Sequence, residues 1–401
     1  MKQENPPLVM RIITRLAGGG PPVHTTLLNR GLDSCKFESV LVYGGCSIEE
    51  MNMDYLLADG DRVEFVNSLA AKPNPILDCI ALYKLWKLMR RYRPAIVHTH
   101  TAKAGFLGRL AAILAGVPHI VHTYHGHVLD GYFGKLTNHL LRSVERLLGR
   151  VSTALCAVSN QQAEELSTRF LIAPRNKFRV VPLGLDLTSY LSIPVPNFNA
   201  PRMTIGWLGR FVPIKNLPLL IEIVEGAAEL RLPIDFLVAG EGPERKWLED
   251  AIQTRKLANI QILPWQDHVE GMLGKCHLMV LTSHREGTPL SLIQAMAAAR
   301  PFVSTPAGGT VDLAIGVGRY ERDIWWHENS VLCKASAEVF LRVFALLNSD
   351  RQLLERMSES SRTFATTSFG EARLVSDIES LYRELLAIPE SERIQTASLD
   401  S

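Results

Sequence analysis

The chain has 401 residues, enough for two domains at roughly 150 residues each. Its composition is 47% hydrophobic and 21% charged, which excludes a disordered tail protein, a collagen and a coiled-coil rod. The formal net charge is only +2, and residues 1–200 contain 22 basic against 15 acidic side chains, so no strong basic excess points to nucleic acid as a partner.

Cysteine usage and hydropathy indicate the compartment. The six cysteines are scattered without a Cys-x-x-Cys pair, which favours a reducing compartment over a disulfide framework or a zinc knuckle. The longest apolar run, Leu110 to Val117, is far shorter than the ~20 residues that cross a bilayer. Lys2, Glu4 and two prolines open the chain without an apolar run, so we expect no signal peptide and a cytoplasmic protein.

The first half alternates Val- and Ile-rich runs with amphipathic stretches, the pattern of strand–helix–strand units in a parallel sheet. Between Ile80 and Arg93, for example, Leu82, Leu85 and Met89 recur at helical spacing. The predicted strands have little polar alternation, as expected for strands buried on both faces. They are Val9–Thr14, Ser39–Tyr43, Arg62–Val66, Ala95–His98, His119–His122, Ala154–Val158 and Phe178–Val181.

The same alternation resumes after a proline-rich stretch that is typical of a linker, Ser192 to Pro201. The predicted strands of the second half are Met203–Leu208, Asp235–Ala239, Ile260–Leu263, Leu278–Leu281 and Pro301–Ser304. We therefore predict two α/β domains, at residues 8–191 and 203–369, joined by a linker at 192–202. Ligand-binding loops are expected at the carboxyl ends of the strands.

A glycine-rich turn, Gly18-Gly19-Gly20, follows the first predicted strand. Such a turn lets backbone N–H groups approach an anion, and the helix after it adds a favourable partial charge. The dinucleotide-binding fingerprint is incomplete, because Val23 stands at the third glycine position. By itself, the segment is equally compatible with a tight turn that binds nothing.

Two loops of the second half carry charged candidates. Arg210 and Lys215 lie five residues apart, which suits a diphosphate, although spacing alone favours an ordinary solvated loop. Glu286 precedes a helix that we predict to have Thr288 as its cap and Pro289 as its first residue. The free N–H groups of that helix would then lie close to Glu286.

Taken in order, these loops resemble the motifs of family 4 glycosyltransferases. The resemblance implies the GT-B fold, an α/β architecture in which two Rossmann-like parallel-sheet domains face each other across an interdomain cleft. It implies a C-terminal helix, residues 370–388, that crosses back to the N-terminal domain. The matching segments are Gly209-Arg210 through Lys215, Gly240-Glu241-Gly242-Pro243, Glu286-Gly287-Thr288-Pro289-Leu290, Gly308-Gly309, His98 through Gly105, and Thr123 through Gly126.

The resemblance also implies an activity. Members of this family are retaining, metal-independent enzymes without a cofactor. They move a sugar from a nucleotide-diphosphate donor to an acceptor, and we expect a UDP-sugar here. The first stretch of the chain resembles enzymes of bacterial surface-polysaccharide assembly, so we expect a saccharide or a lipid-linked saccharide as acceptor.

Roles for individual residues follow from the same resemblance. Arg210 and Lys215 would hold the donor diphosphate while negative charge builds on it. Glu286 would contact the transferred sugar, and His125 would orient that sugar or the attacking acceptor. These four are the expected catalytic residues, and no metal ligand is expected. The expected donor-binding residues are Gly19, Gly20, Arg210, Lys215, Gly240, Glu286, Gly287, Thr288, Pro289, Leu290 and Gln294.

The sequence departs from the family pattern in three places. Gln294 replaces the second acid of the Glu-x7-Glu motif, which accepts hydrogen bonds from the nucleotide ribose. An amide oxygen accepts such a bond without charge assistance, so we expect weaker or altered donor binding. Asp312 stands where the family usually has Glu, and Gly318 to His327 is an insertion relative to the usual short turn.

Two other functions remain open at this point. Six of the twelve histidines lie from His98 to His127, which a metal-dependent hydrolase would explain, yet no acid precedes Asp130 in that stretch. Histidines at strand ends are more often satisfied core or cleft residues. The replacement at Gln294 motivates the other alternative, a nucleotide-sugar-binding subunit without catalysis. Asp59-Gly60-Asp61 imitates a metal-binding Asp-x-Asp motif but is typical of a turn before a strand.

One predicted helix carries a basic stripe. Arg142, Arg146 and Arg150 recur every four residues beside several leucines. The pattern predicts either peripheral contact with an anionic membrane or an ordinary amphipathic surface helix.

Overall fold

The computed structural model describes residues 6–17, 19–47, 52–70, 72–126, 134–264 and 268–387. The chain divides into two compact units. Unit 1 comprises Met1–Val158, Ala163–Leu185 and Glu371–Ser401, and unit 2 comprises Ser159–Gln162 and Asp186–Gly370.

All seven strands predicted from the first half are present in unit 1. In chain order, the elements of the chain through the last of these strands are β1 (Leu8–Arg15), α1 (Gly20–Gly31), β2 (Glu38–Gly44), β3 (Val63–Phe65), α2 (Pro75–Tyr92), β4 (Ile96–His100), α3 (Ala102–Ala115), β5 (His119–Tyr124), α4 (Lys135–Val151), β6 (Ala154–Ala157), α5 (Asn160–Glu164) and β7 (Phe178–Val180). The seven strands form one sheet, parallel throughout, in the order β3-β2-β1-β4-β5-β6-β7.

In unit 2 the five strands predicted from the second half are all present, and three further strands extend their sheet. The elements of this unit are α6 (Thr188–Leu191), β8 (Met203–Leu208), α7 (Leu217–Glu229), β9 (Ile234–Ala239), α8 (Arg245–Thr254), β10 (Ile260–Leu263), α9 (Glu270–Leu273), β11 (Leu278–Leu281), α10 (Leu290–Ala297), β12 (Phe302–Ser304), β13 (Arg319–Glu321), β14 (Ile324–Trp326), β15 (Ser330–Cys333), α11 (Ala337–Ser349) and α12 (Arg351–Ser368). The eight strands form one sheet in the order β10-β9-β8-β11-β12-β15-β14-β13.

Apolar periodicity explains why helices cover both faces of the unit 1 sheet. The Asn74 side chain accepts hydrogen bonds from two backbone N–H groups in the first turn of α2, and Ala81, Leu85 and Met89 are buried at four-residue intervals along that helix. The last helix, α13 (Glu371–Leu386), buries its own apolar stripe on the opposite face beside α1. The result is a doubly wound layer.

Residues Gly318 to His327, which the sequence comparison with the family pattern predicts to be an insertion, contain an antiparallel hairpin. β13 pairs with β14, and β14 pairs with β15, so the hairpin lengthens the unit 2 sheet at its edge. Tyr320 packs against Trp325 with a centroid separation of 5.0 Å. The sequence pattern gave no role for this segment, and in the structure it completes a sheet.

Strand order determines where a ligand can lie in each unit. In unit 1, β1 lies between β2 and β4, and in unit 2, β8 lies between β9 and β11. At such a switch point the loops on the two sides diverge and leave a crevice outside the carboxyl ends of the strands. The loops that matter are therefore those after β1 and β4 in unit 1, and those after β8 and β11 in unit 2.

Candidate active site

The unit 2 switch point brings two predicted catalytic residues together. Lys215, after β8, donates a hydrogen bond of 2.6 Å from Nζ to Oε1 of Glu286, after β11. Ser283 donates from Oγ to the same carboxylate oxygen at 2.5 Å. The side chains of Lys215 and Glu286 are only 16% and 10% exposed, so the pair is largely shielded from water.

Hydrogen bonds to backbone carbonyl groups hold these two loops in register. The Thr282 hydroxyl donates to the Lys215 carbonyl at 2.9 Å, and the His284 N–H donates to the Ile214 carbonyl at 2.9 Å. The lysine and the glutamate are 71 residues apart in sequence, so the pairing of β8 with β11 and these links between loops bring them together. The site is therefore preorganised by the fold.

The Gly308-Gly309 motif supports the glutamate loop. A Cβ atom at Gly308 would lie 2.0 Å from the Glu286 carbonyl oxygen, and one at Gly309 would lie 1.9 Å from the Gly287 carbonyl oxygen. Gly308 also has φ +57°, which favours glycine. These glycines are required because the two loops touch through their backbones.

Gly240 has a similar structural role in the neighbouring loop. Its Cβ would lie 1.9 Å from the Gly209 carbonyl oxygen, so the turns after β9 and β8 are in backbone contact. Arg210, which follows Gly209 in the sequence, is exposed. In the part of the chain that the structure describes, its side chain makes no hydrogen bond or ion pair. The structure thus joins Lys215 to Glu286 and leaves Arg210 apart from them.

Helix α10 begins one residue later than predicted. Pro289 occupies the capping position, without a side-chain cap, and Leu290 is the first helical residue, so the assignment of Thr288 as the cap was wrong. Pro289 itself has extended backbone, with φ −73° and ψ 111°, so it stands at the capping position and not in the helix. In the second turn of α10, Gln294 donates from Nε2 to the Tyr190 hydroxyl at 2.8 Å, and α6, which carries that tyrosine, packs on α10.

In unit 1, the glycine turn leads directly into a helix. Gly19 has φ +132° and precedes α1, whose first residue is Gly20, and Pro21 follows in the first turn. After β4, Thr101 has φ +67°, and its Oγ1 lies 2.8 Å from Thr14 Oγ1. Strained backbone of this kind often accompanies a functional site.

Three histidines meet near the carboxyl ends of β1, β4 and β5. His100 Nδ1 lies 3.0 Å from His125 Nε2, and the His24 ring packs edge-on against the His125 ring at a centroid distance of 4.8 Å. His24 comes from the first turns of α1. Sequence reasoning missed His24 because it lies far from the other histidines in sequence, although its position just after the glycine turn was a usable signal.

Burial keeps this histidine cluster neutral. It lowers the pKa of His125 to about 3, and it lowers the pKa of His24 and His100 well below the usual range. Four ring nitrogens in the cluster are buried and have no hydrogen-bond partner among the described residues: Nδ1 and Nε2 of His24, Nε2 of His100 and Nδ1 of His125.

Two other histidines of the stretch, His98 and His122, have structural partners, whereas His119 Nδ1 is buried without one among the described residues. His98 bridges Tyr382 of α13, at 2.6 Å, and Thr123 of β5, at 2.7 Å. His122 Nδ1 lies 2.9 Å from Thr99 Oγ1. His127 is outside the described residues.

Comparisons with known proteins agree on a family. Residues 18–189 match the model of Glycosyltransferase Family 4, and residues 202–338 match that of Glycosyl transferases group 1. An Escherichia coli protein, UDP-Gal:alpha-D-GlcNAc-diphosphoundecaprenol alpha-1,3-galactosyltransferase, is 27% identical over 345 residues, covering 83% of this chain and 86% of that protein. An N-acetyl-alpha-D-glucosaminyl L-malate synthase of Bacillus anthracis is 23% identical, covering 80% and 83%.

Solved structures share the fold. HepE from Anabaena, in complex with UDP and glucose, superimposes with a TM-score of 0.76 at 17% identity, covering 94% of this chain and all of that chain. Sucrose-phosphate synthase from Thermosynechococcus elongatus has a TM-score of 0.76 at 18% identity, covering 96% of this chain. Among the described residues, no helix has both the length and the apolar character to cross a bilayer.

Proposed function

Because the chain belongs to the family 4 glycosyltransferases, we propose that it is a retaining enzyme that moves a sugar from a UDP-sugar to a saccharide or lipid-linked saccharide without a metal ion. The observation that carries this proposal is the shielded Lys215–Glu286 pair at the unit 2 switch point.

The loop after β8, which contains Arg210 and Lys215, compensates the negative charge of the leaving group. When the bond between the anomeric carbon and the phosphate breaks, negative charge builds on the departing nucleoside diphosphate. A fixed ammonium group in a shielded site stabilises that charge better than water does, because it needs no reorganisation during the reaction. Lys215 supplies this group, and the exposed Arg210 adds a guanidinium that is free to fold onto the phosphates.

The glutamate loop binds the sugar and the phosphates. Glu286 accepts hydrogen bonds from the sugar hydroxyl groups, and its contacts to Lys215 and Ser283 hold the carboxylate in place. Residues 287–290 lead into α10, whose first N–H groups lack partners within the helix and suit a phosphate. Gln294, held by Tyr190, faces the ribose as an uncharged acceptor.

Unit 1 supplies the acceptor side of the reaction. The acceptor oxygen bonds to the anomeric carbon on the face that the diphosphate leaves, and its proton passes to a leaving phosphate oxygen. His125 orients the sugar or the acceptor hydroxyl, and Gly19 and Gly20 approach the donor phosphates. Since burial holds the pKa of His125 at about 3, its imidazole acts as a neutral hydrogen-bonding group at pH 7.

Retention of configuration is supported by the relatives. The Escherichia coli protein is named for a UDP-Gal donor and an alpha-1,3 product. The galactose of such a donor is α-linked to phosphate, so an α-linked product retains its configuration. A lipid-linked acceptor for this chain follows from the diphosphoundecaprenol in the same name.

A lipid-linked acceptor requires access to a membrane, and α4 offers a surface for it. Leu136, Leu140 and Leu147 are 84%, 62% and 62% exposed and recur on one face of the helix. Arg142 and Arg146 instead pack on Phe170, by ring contact and by a hydrogen bond to its carbonyl. We therefore expect the leucines to provide most of the contact with an anionic membrane, with Arg150 beside them.

A direct assay tests the activity. Purified protein is given each of a panel of UDP-sugars and GlcNAc-diphospho-polyprenol in EDTA, and release of UDP and the anomeric coupling of the product are measured. We expect one donor to react and the product to be α-linked. Inversion, or a strict need for an added metal, would contradict the proposal, while donor binding without transfer would favour the non-catalytic subunit.

Vesicle sedimentation tests the membrane contact. We expect the protein to sediment with vesicles that contain anionic lipid and the Leu140→Gln/Leu147→Gln variant to remain in the supernatant. Leu346→Gln, which changes a half-exposed leucine of α11 in unit 2, is the matched control. Equal sedimentation of all three proteins would exclude α4 as the contact.

A further inference from the structure

The cluster of His24, His100 and His125 has a second use that sugar transfer does not require. One ligand nitrogen from each of the three histidines lies within 4.8 Å of the other two. We propose that the cluster binds a divalent transition metal of the Zn²⁺ type, and that the bound metal blocks transfer by occupying His125. The inhibitory part of this proposal rests on the proposed function, whereas metal binding stands by itself.

Unsatisfied nitrogens are the first argument. Three neutral imidazoles have six ring nitrogens, and only one pair of them, His100 Nδ1 and His125 Nε2, is in hydrogen-bonding contact within the cluster. The other four are buried and find no hydrogen-bond partner in the part of the chain that the structure describes. Native proteins leave few buried polar atoms unpaired, since each costs about 1–3 kcal/mol, so four at one place indicate a ligand.

The donor set indicates which ligand. Imidazole suits Zn²⁺, Cu²⁺ and Ni²⁺, and three protein ligands leave one position of a tetrahedral ion for water or an inhibitor. His24 and His100 are 1% and 0% exposed, and His125 is half-buried, so an ion would enter past His125. The nitrogens must move closer together to reach the ~2.0 Å bonds that Zn²⁺ prefers.

Local charge indicates a weak, exchangeable site. No carboxylate belongs to the cluster in the part of the chain that the structure describes, so nothing neutralises the dication there. The buried Arg11 guanidinium adds positive charge, and its electrostatic effect reaches both His24 and His100. We therefore expect reversible binding that responds to the free metal concentration, unlike a structural zinc.

Cobalt spectroscopy tests binding without any assay of activity. Co²⁺ is titrated into the full chain, and its visible d–d absorption distinguishes a tetrahedral from an octahedral ion. We expect a saturable tetrahedral spectrum that Zn²⁺ removes. His24→Asn should weaken binding by ~10-fold or more, since changes even beyond the ligands cost that much. His139→Asn, which removes an exposed histidine of α4, should change nothing.

The wild-type titration is decisive even if a variant fails to fold. An absent or octahedral spectrum with the wild-type chain overturns the metal site. In the transfer assay, we expect Zn²⁺ to inhibit, EDTA to reverse the inhibition, and His24→Asn to require ~10-fold more Zn²⁺. Tetrahedral binding with unchanged transfer overturns the inhibition alone, and a chain that transfers no sugar but gives the spectrum contradicts the proposed function and supports the metal site.

Discussion

The carboxyl edges of the two sheets share a topology and differ in chemistry. In each unit the first strand lies at a switch point, but unit 1 places three neutral imidazoles there and unit 2 places the Lys215–Glu286 ion pair. Strand order therefore decides where a ligand can bind, and the loop sequences decide what kind of ligand is stabilised. A departing diphosphate suits the charged edge, and an uncharged hydroxyl group suits the neutral edge.

Breaking the ion pair tests this difference most strongly. We expect Lys215→Met and Glu286→Gln each to lower kcat by ~10²-fold or more, the scale of removing one preorganised charge stabiliser. If the pair only supports the fold, the double variant should be more active than either single variant, because it leaves no unpaired buried charge. Steady-state kinetics on both single variants and the double variant checks this, with melting temperatures recorded beside them.

Arg202→Met is the matched control for these variants. It breaks another ion pair of unit 2, with Asp235, but both of its side chains are about half exposed. Exposed pairs contribute about 0–1 kcal/mol to stability, so turnover should stay within about twofold of wild type. A large loss in this control would mean that any broken ion pair in unit 2 lowers activity.

The backbone support of the glutamate loop gives the next largest effect. In Gly308→Ala, the new Cβ would meet the Glu286 carbonyl oxygen, so the loop must move. We expect kcat/KM to fall by roughly 30-fold, since small displacements of a positioned group cost up to ~10²-fold. Gly60→Ala is the control, because Gly60 also has a positive φ of +99° but its Cβ would contact nothing within 4 Å. Equal losses in both would point to backbone strain alone.

Neutral histidines in unit 1 predict acid sensitivity. Burial, and then the charge of Arg109, lower the pKa of His122 well below its usual value, with smaller contributions from His98 and His125. The unfolded chain therefore binds the proton more readily, and the stabilisation is full above pH ~6.5 and decreases as the pH falls below it.

Each such histidine is expected to contribute about 1.4 kcal/mol per pH unit below pH ~6.5, a factor of ten in the unfolding equilibrium for each unit. Urea unfolding at several pH values should show the summed slope of these histidines, and His122→Gln should lower that slope by about 1.4 kcal/mol per pH unit. An unchanged slope in the variant would mean that another group titrates.

The strands were predictable because their chemistry is local. Val- and Ile-rich runs identify parallel strands wherever they occur, and each of the twelve predicted strands is present. The hairpin of Arg319–Glu321 and Ile324–Trp326 escaped prediction because neither strand is a Val- and Ile-rich run and β13 is exposed along its length.

Site geometry was less predictable, since it depends on contacts between distant segments. The loop motifs marked Lys215 and Glu286 as separate candidates, but only the folded backbone brings them within 2.6 Å. His24 lies beside His100 and His125 although the three come from separate segments of the chain, and no rule of sequence spacing predicts such a contact. The roles of all these residues stay predictions until the variants are measured.

Replacing Gln294 with the acid that is typical of the family is expected to have the smallest effect on kinetics. It tests the donor-binding side of unit 2. Gln294 donates to Tyr190, and in the proposed function its amide oxygen accepts from a ribose hydroxyl without charge assistance. In Gln294→Glu, a carboxylate accepts instead, and bonds to charged groups are stronger by about 1 kcal/mol, so the donor KM should fall roughly fivefold with little change in kcat. Gln294→Leu should raise KM, because it removes the acceptor. An unaltered KM in Gln294→Glu, measured over a range of UDP-sugar concentrations, would place the ribose elsewhere and leave Gln294 as a partner of Tyr190 alone.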